Sequence, residues 1–376
     1  MDENMELDEL REKVDELDDK IIELLNKRLD LALCIGKVKH EKSLDFYVPS
    51  REQAILERIE KQNKGAFPDS SLKSIYREIM AAARFCQHPL KIAYFGPKAT
   101  FTHMASIKQF GSSAAYIPVK SIKDVFMEVE HDRVDYGVVP IENSTEGVVN
   151  YTFDMFIDSN FKTYTDDMFI DSNLKIYAEI FLEISHYLLS NSKISEIKKV
   201  YSHPQPLAQC RNWLETHLPN IKLIEVLSTA EAAIMASREK GTAAIASSLA
   251  AEIYSLKILA ERIEDNADNF TRFLVIGKRI NQKSKYDKTS IMFSVKDKVG
   301  ALYNSLKPFE KYKINLTKIE SRPSRKKVWE YIFFVDFNGH INSKKIQKAL
   351  KELKKECVFL KVLGSYPEDI SYSRKK

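Results

Sequence analysis

Arg28 stands on an apolar seam. Leu7, Leu10, Val14, Leu17, Ile21, Leu24, Leu31, Ile35 and Val38 step by three and four, and Arg28 takes the position in that series where a leucine is expected. An unpaired guanidinium is costly to bury, so the position asks for an anion. Lys39 follows eleven residues later, which on a helix is about 20° away on the same face and about 16 Å along it. Their long side chains can converge on one small ligand. Arg11 precedes Arg28 by seventeen residues, about 25 Å along the axis, and on a straight helix cannot share that ligand. An antiparallel second copy would bring its own Arg11 to the pocket, which predicts an obligate dimer.

A second group of candidates sits in four loop motifs: GPKATFTH from Gly96, PIENSTEG from Pro140, SHPQPLAQC from Ser202 and NFTRFLVIG from Asn269. Each lies beside a short apolar run, and in α/β domains such loops converge on ligands. Strand ends followed by helix N-termini expose backbone N–H groups and favour anions, and the hydroxyls of Thr100, Thr102, Ser144, Thr145 and Ser202 add donors. Neither G-x-G-x-x-G nor G-x-x-x-x-G-K-[ST] occurs, so a nucleotide site has no support.

Three stretches of chain must position these groups. The seam predicts one long helix over Leu7 to Val38, followed by helices over Arg51 to Gln62 and Ser70 to Gln87, with His88-Pro89 ending the all-helical part. From Lys91 to about Lys278, short apolar runs (KIAYFG, AAYIPV, YGVVPI, KKVYSH, KLIEVL, TAAIAS, FLVIG) alternate with helical patterns, as in an α/β domain. After a polar linker, Arg279 to Lys288, the order strand, helix, strand, strand, helix, strand predicts a ferredoxin-like α+β fold. A tandem repeat interrupts the middle stretch: DMFIDSNFKTY at Asp154 to Tyr164 returns as DMFIDSNLKIY at Asp167 to Tyr177. Two copies cannot support a solenoid, and a longer helix or surface loop is expected.

A chain of 376 residues exceeds what one core usually serves. Its net charge of +5 is concentrated near the C-terminus, in lysines such as Lys344, Lys345, Lys348, Lys351, Lys354 and Lys355 on an amphipathic helix. Without interleaved arginines and aromatics this reads as a solvated face, not a nucleic-acid platform. The four cysteines form no C-x-x-C pair, so neither a zinc site nor a disulfide framework is expected, and a reducing compartment fits. The acidic start MDENMELDEL is unlike a signal peptide, and no run approaches the roughly 20 apolar residues of a membrane span. A cytoplasmic protein without metal or organic cofactor is the expectation.

The segment LREKVDELDDKIIELLNKRLDLALCIGKVK, with Arg51-Glu52 and a helix ending in Gln87, resembles the all-helical chorismate mutases over about ninety residues. The resemblance implies that Arg11 and Arg28 hold chorismate's carboxylates, that Lys39 and Gln87 bond its ether oxygen, and that Glu52 contacts its hydroxyl with Arg51 nearby. Val48 and Ala83 depart from residues usual there. The four loop motifs, in this order, resemble those of prephenate dehydratases, which implies two α/β lobes around a cleft, similar to periplasmic binding proteins. In that family Thr271 would assist departure of the ring hydroxyl. Thr100, Asn143, Ser202, His203, Gln209 and Arg272 would position the substrate, with His203 an alternative proton donor. Ala99 replaces the glycine usual in the first loop, which would restrict the backbone if that position needs positive φ. KVGALYNSLKPFEKYKINLTKIESRP resembles phenylalanine-sensing ACT domains, implying an effector site at Gly300, Ala301, Leu302, Glu320, Ser321, Arg322 and Pro323.

The expectation is therefore a chorismate mutase domain (1–88), a dehydratase domain (91–278) and an ACT domain (288–368). Together they would form a homo-oligomer, dimer or tetramer, that makes phenylpyruvate and is inhibited by phenylalanine. An arogenate dehydratase and a catalytically dead phenylalanine-binding regulator are the alternatives.

Overall fold

The computed structural model describes residues 7–158, 174–323 and 331–369. Two compact units divide the chain: residues 1–90 with Phe110–Ala115, and the remainder.

The first unit is built on three helices, α1 (Leu7–Glu41), α2 (Pro49–Gln62) and α3 (Asp69–Gln87). Pro49 opens α2, where a missing N–H costs nothing, and α3 stops at Gln87, with His88 extended ahead of Pro89. Gly36 is the buried residue of α1; a Cβ there would lie 2.7 Å from Cγ of Gln87, so the glycine permits α1 and α3 to approach closely. Leu10, Val14, Leu17, Ile21, Leu24, Leu31, Ile35 and Val38 are all exposed, so the apolar seam of α1 is uncovered along its length.

The second unit holds three sheets. The first lobe comprises β1 (Lys91–Phe95), α4 (Phe101–Phe110), β2 (Ala115–Val119), α5 (Ile122–Glu130), β3 (Tyr136–Asn143), β4 (Gly147–Val148), α6 (Asn150–Asp158) and β5 (Lys175–Glu183). The second lobe comprises β6 (Tyr187–Ser190), β7 (Lys199–Ser202), α7 (Pro204–Gln209), α8 (Arg211–His217), β8 (Lys222–Glu225), α9 (Thr229–Arg238), β9 (Thr242–Ala246), α10 (Ser248–Ile253) and β10 (Lys257–Ala260). Its sheet runs β10-β6-β9-β7-β8. The chain then returns through β11 (Phe270–Gly277) to the first sheet, ordered β2-β1-β3-β11-β5, with β4 paired to β3. Thr271 therefore lies at a crossover between lobes.

The third sheet belongs to the C-terminal segment, where an ACT domain was expected. It runs β13 (Leu316–Pro323), β14 (Tyr331–Asn338), β12 (Asp287–Val295), β15 (Cys357–Pro367), with α11 (Ala301–Lys311) and α12 (Lys344–Glu356) completing the βαββαβ order. Gly300, at φ +76°, turns the chain into α11. One apolar core joins this sheet to the first lobe: Met292, Ile332, Phe334 and Tyr366 pack with Phe153, Phe156, Ile176 and Leu274, and the Phe153 and Phe334 rings lie 4.7 Å apart.

All three fold classes match the expectation, but β5 and β6 were read as helical chain. The first repeat copy closes α6 at Asp158, and the end of the second opens β5. The stretch between, where a lengthened helix or loop was expected, lies outside the described residues.

Candidate functional site

Strand β11 lies antiparallel to β3 with Thr271 opposite Asn143, and that register creates the first cluster. The Asn143 amide donates to Thr271 Oγ1 at 2.7 Å and to Asn269 Oδ1 at 2.9 Å. Its carbonyl oxygen accepts from the Thr145 hydroxyl at 2.6 Å, and from the backbone N–H groups of Thr145 and Glu146. Gln209 of α7 donates to Thr145 Oγ1 at 3.3 Å. Its own oxygen accepts from Asn269 at 3.3 Å and from His186 Nε2 at 2.8 Å. Ser144 ties the PIENSTEG loop to β11 through its N–H to Phe270 O and its hydroxyl, which accepts from Phe270 N.

These bonds run in one direction. His186 donates to Gln209, Gln209 to Thr145, Thr145 to Asn143 and Asn143 to Thr271, so the Thr271 hydroxyl accepts and its own proton remains available to a ligand. Burial lowers the His186 pKa, outweighing the Gln209 bond and the Glu264 charge, and favours the neutral ring that donates from Nε2. His186 and Asn269 were missed by sequence reasoning. Asn269 opens a quoted motif, whereas His186 sits in an apolar run with no local signal.

Other candidates fall elsewhere. Arg272 points away from this cluster: neighbours on a strand face opposite ways, and its buried guanidinium bonds Glu179 at 2.9 Å, Asp336 at 2.7 Å and the Tyr366 hydroxyl at 3.1 Å. Burial opposes its charge, but the two carboxylates more than offset that and hold its pKa well above the ordinary value. The fully buried hydroxyl of Ser202 donates to Ile245 O at 2.8 Å and braces the second lobe. His203 caps α7 by accepting from Gln205 N, and Thr100 bonds the carbonyls of Phe95 and Pro97 at the start of α4. Ala99 does adopt positive φ, +68°, with its N–H donating to His103 Nδ1 and its carbonyl accepting from Ser247. The backbone thus takes the strain that glycine would avoid.

In the helical unit, Lys39 donates to Phe46 O at 2.9 Å, and Gln87 lies against Gly36 one turn earlier on α1. Burial lowers the Lys39 pKa, with the charges of Glu52 and Asp45 opposing it. Glu52 is bonded to Arg84 of α3, a residue sequence reasoning passed over. Arg28 is half-buried and Arg51 exposed, and Arg11 is 68 % exposed beside Asp8.

On the ACT sheet, β13 alternates. Lys318, Glu320 and Arg322 are half-buried, and Ser321 and Pro323 exposed. Lys318 pairs with Glu142 at 2.6 Å, and Arg322 bonds Asn150 at 2.6 Å and Asp154 at 2.9 Å on α6. The Arg322 guanidinium thus reaches the first lobe through its two terminal nitrogens. Gly300, Ala301, Leu302 and Glu320 stay on the ACT domain at the start of α11 and on β13.

No helix among the described residues is long and apolar enough to cross a membrane. Family models match the chain in three places: chorismate mutase type II over residues 10–88, prephenate dehydratase over 92–281 and ACT domain over 289–355. A bifunctional chorismate mutase/prephenate dehydratase of Aquifex aeolicus is 52 % identical over 368 residues, covering 96 % of this chain and 98 % of its own. The Pseudomonas aeruginosa protein of the same description is 43 % identical, covering 86 % of each chain. Among solved structures, prephenate dehydratase from Arthrobacter aurescens, in complex with L-Phe, matches with a TM-score of 0.66 at 31 % identity, covering 74 % of this chain and 90 % of that one.

Proposed function

We propose, for a chain that belongs to the family of bifunctional chorismate mutase/prephenate dehydratases, that the helical unit converts chorismate to prephenate and the two-lobed domain converts prephenate to phenylpyruvate. The observation that carries this reading is the directed network ending at Thr271, which leaves one hydroxyl proton to offer a substrate.

The mutase reaction is a pericyclic rearrangement. It needs no nucleophile or general base, only a compact substrate conformer and charge stabilisation at the breaking C–O bond. Lys39 and Gln87 would serve the ether oxygen, Arg28 and Arg11 of a second copy the carboxylates, and Glu52 the hydroxyl, with Arg51 nearby. The uncovered seam of α1 supports a homo-oligomer built on that helix. Because burial lowers the Lys39 pKa, mutase activity should fall on the alkaline side before free lysine would titrate, at about 10.4. A pH profile of chorismate turnover checks this; activity held level through that value would remove Lys39 as the required cation.

In dehydration the C–CO₂⁻ bond supplies the electron pair that completes the aromatic ring as the C–OH bond breaks, releasing carbon dioxide and hydroxide. Threonine is too weak an acid to transfer its proton outright, so Thr271 would donate a hydrogen bond to the departing oxygen while Asn143, Gln209 and Asn269 hold the ring. His203, whose Nδ1 caps α7, is a weaker candidate for that role. Phenylalanine would bind at Gly300–Leu302 and Glu320–Ser321 of the ACT domain. The β13 pairs reach Glu142 within the PIENSTEG motif and Asn150 and Asp154 just after it, and offer a route to Asn143.

Incubating the protein with chorismate alone tests the whole reading. Phenylpyruvate should appear, and less of it when phenylalanine is added. Prephenate accumulating without phenylpyruvate would sink the dehydratase assignment, and unchanged chorismate the mutase assignment.

A further inference from the structure

Arg84 has no place in the functions so far described, yet its surroundings are built with care. It is buried on α3, and Nη2 donates to the Phe110 carbonyl at 2.6 Å. Its guanidinium carbon sits 5.0 Å from the centroid of the fully buried Tyr47 ring, which itself packs 4.8 Å from Phe110. A carbonyl and an aromatic face thus fix the plane of the guanidinium, and Nη1 is left to engage Glu52 Oε1.

Glu52 answers that geometry. Its side chain keeps 22 % exposure, and its second oxygen, Oε2, has no hydrogen-bond partner among the described residues. We infer that Arg84 is a positioning residue of the mutase site: by holding Oε1 of Glu52 it presents Oε2, as a carboxylate, to the substrate hydroxyl beside Lys39. This rests on the mutase reading above, in which Glu52 meets that hydroxyl.

The electrostatics agree with the geometry. Burial pushes the Glu52 carboxyl up, and the charge and hydrogen bond of Arg84 are the leading opposition, followed by Lys39 of α1 and Arg77 of α3. Asp45, in the chain leading to α2, acts on Lys39. Without Arg84 the largest counterweight to burial is gone, and Glu52 becomes a neutral acid that offers a proton where the site needs an acceptor.

The test is chorismate turnover between pH 6 and 9 by full-length protein carrying Arg84→Met, Arg84→Lys, Glu52→Gln, and Arg84→Met with Glu52→Gln. The helical circular dichroism signal of the same samples reports whether the helical unit is folded. Arg84→Met should lower kcat/KM roughly tenfold or more at pH 6 and recover as pH rises and Glu52 ionises, a limb the unaltered protein lacks over this range. Arg84→Lys, which keeps the charge, should remove that limb. The double variant should be no worse than Glu52→Gln alone. A pH-independent loss in Arg84→Met, or additive losses in the double variant, would make Arg84 a brace of the fold only and overturn the inference. If Arg84→Met does not fold, Arg84→Gln, which keeps a donor but not the charge, takes its place: the same acid limb supports the inference, and a pH-independent loss overturns it. Failure of the mutase reading itself is distinguishable, since the unaltered protein would then leave chorismate untouched.

Discussion

Thr271→Val is expected to lower kcat for prephenate by about 10²–10³, the loss seen when a single donor to a developing oxyanion is removed, while chorismate turnover stays at the unaltered level. Valine keeps the shape and the β propensity of threonine, so β11 and its pairing with β3 should persist. What it removes is a hydroxyl that accepts from Asn143 and keeps its own proton for the substrate. KM should change little, because the hydrogen bond to the departing oxygen strengthens as charge develops. Thr271→Ser should retain much of the activity. Steady-state rates with prephenate check this; a valine variant within a few-fold of normal would transfer the role to another donor, with His203 the first to examine.

That network shows where sequence reading stops. The helices of the first unit and the βαββαβ order of the ACT domain were legible because their apolar periods, 3.6 and 2, are clean. LKIYAEIFLEISHYLLS was not: a nearly continuous apolar run cannot be assigned to helix or strand by period, and it holds both β5 and β6, with His186 in the turn between them. Asn143 and Thr271 are 128 residues apart, and only the β3–β11 register brings them together. The side of β11 that Arg272 takes was legible, since in NFTRFLVIG a strand period of two sets Thr271 and Arg272 on opposite faces. Arg84 also left a trace, as the one charge within AAARFC, but its partner Glu52 on another helix was out of sight.

Arg272→Met should be the most destabilising single change at the junction of the first lobe with the ACT sheet. Arg272 and Lys288 balance Glu179 and Asp336, so four buried charges sum to zero. Removing the guanidinium leaves one carboxylate uncompensated, at a cost of about 3–5 kcal/mol and a fall in melting temperature of roughly 10 °C. Adding Asp336→Leu restores neutrality with the Lys288–Glu179 pair intact, and should recover most of the loss. The pH dependence separates this from simple loss of packing. Burial works against the Asp336 carboxylate in the unaltered protein, but Arg272, Ser290 and Lys288 hold its pKa below the ordinary value. Its contribution is therefore present above the unfolded pKa of about 3.9 and is lost as pH falls through the folded one. In Arg272→Met the leading counterweight is absent, and burial should raise the folded pKa above the unfolded one. The sign then reverses: the deficit relative to the unaltered protein should shrink as pH is lowered from 7 towards 5. Melting curves of the single and double variants across that range decide the matter, and a deficit that is independent of pH and persists in the double variant would show that Arg272 acts by packing and not by charge.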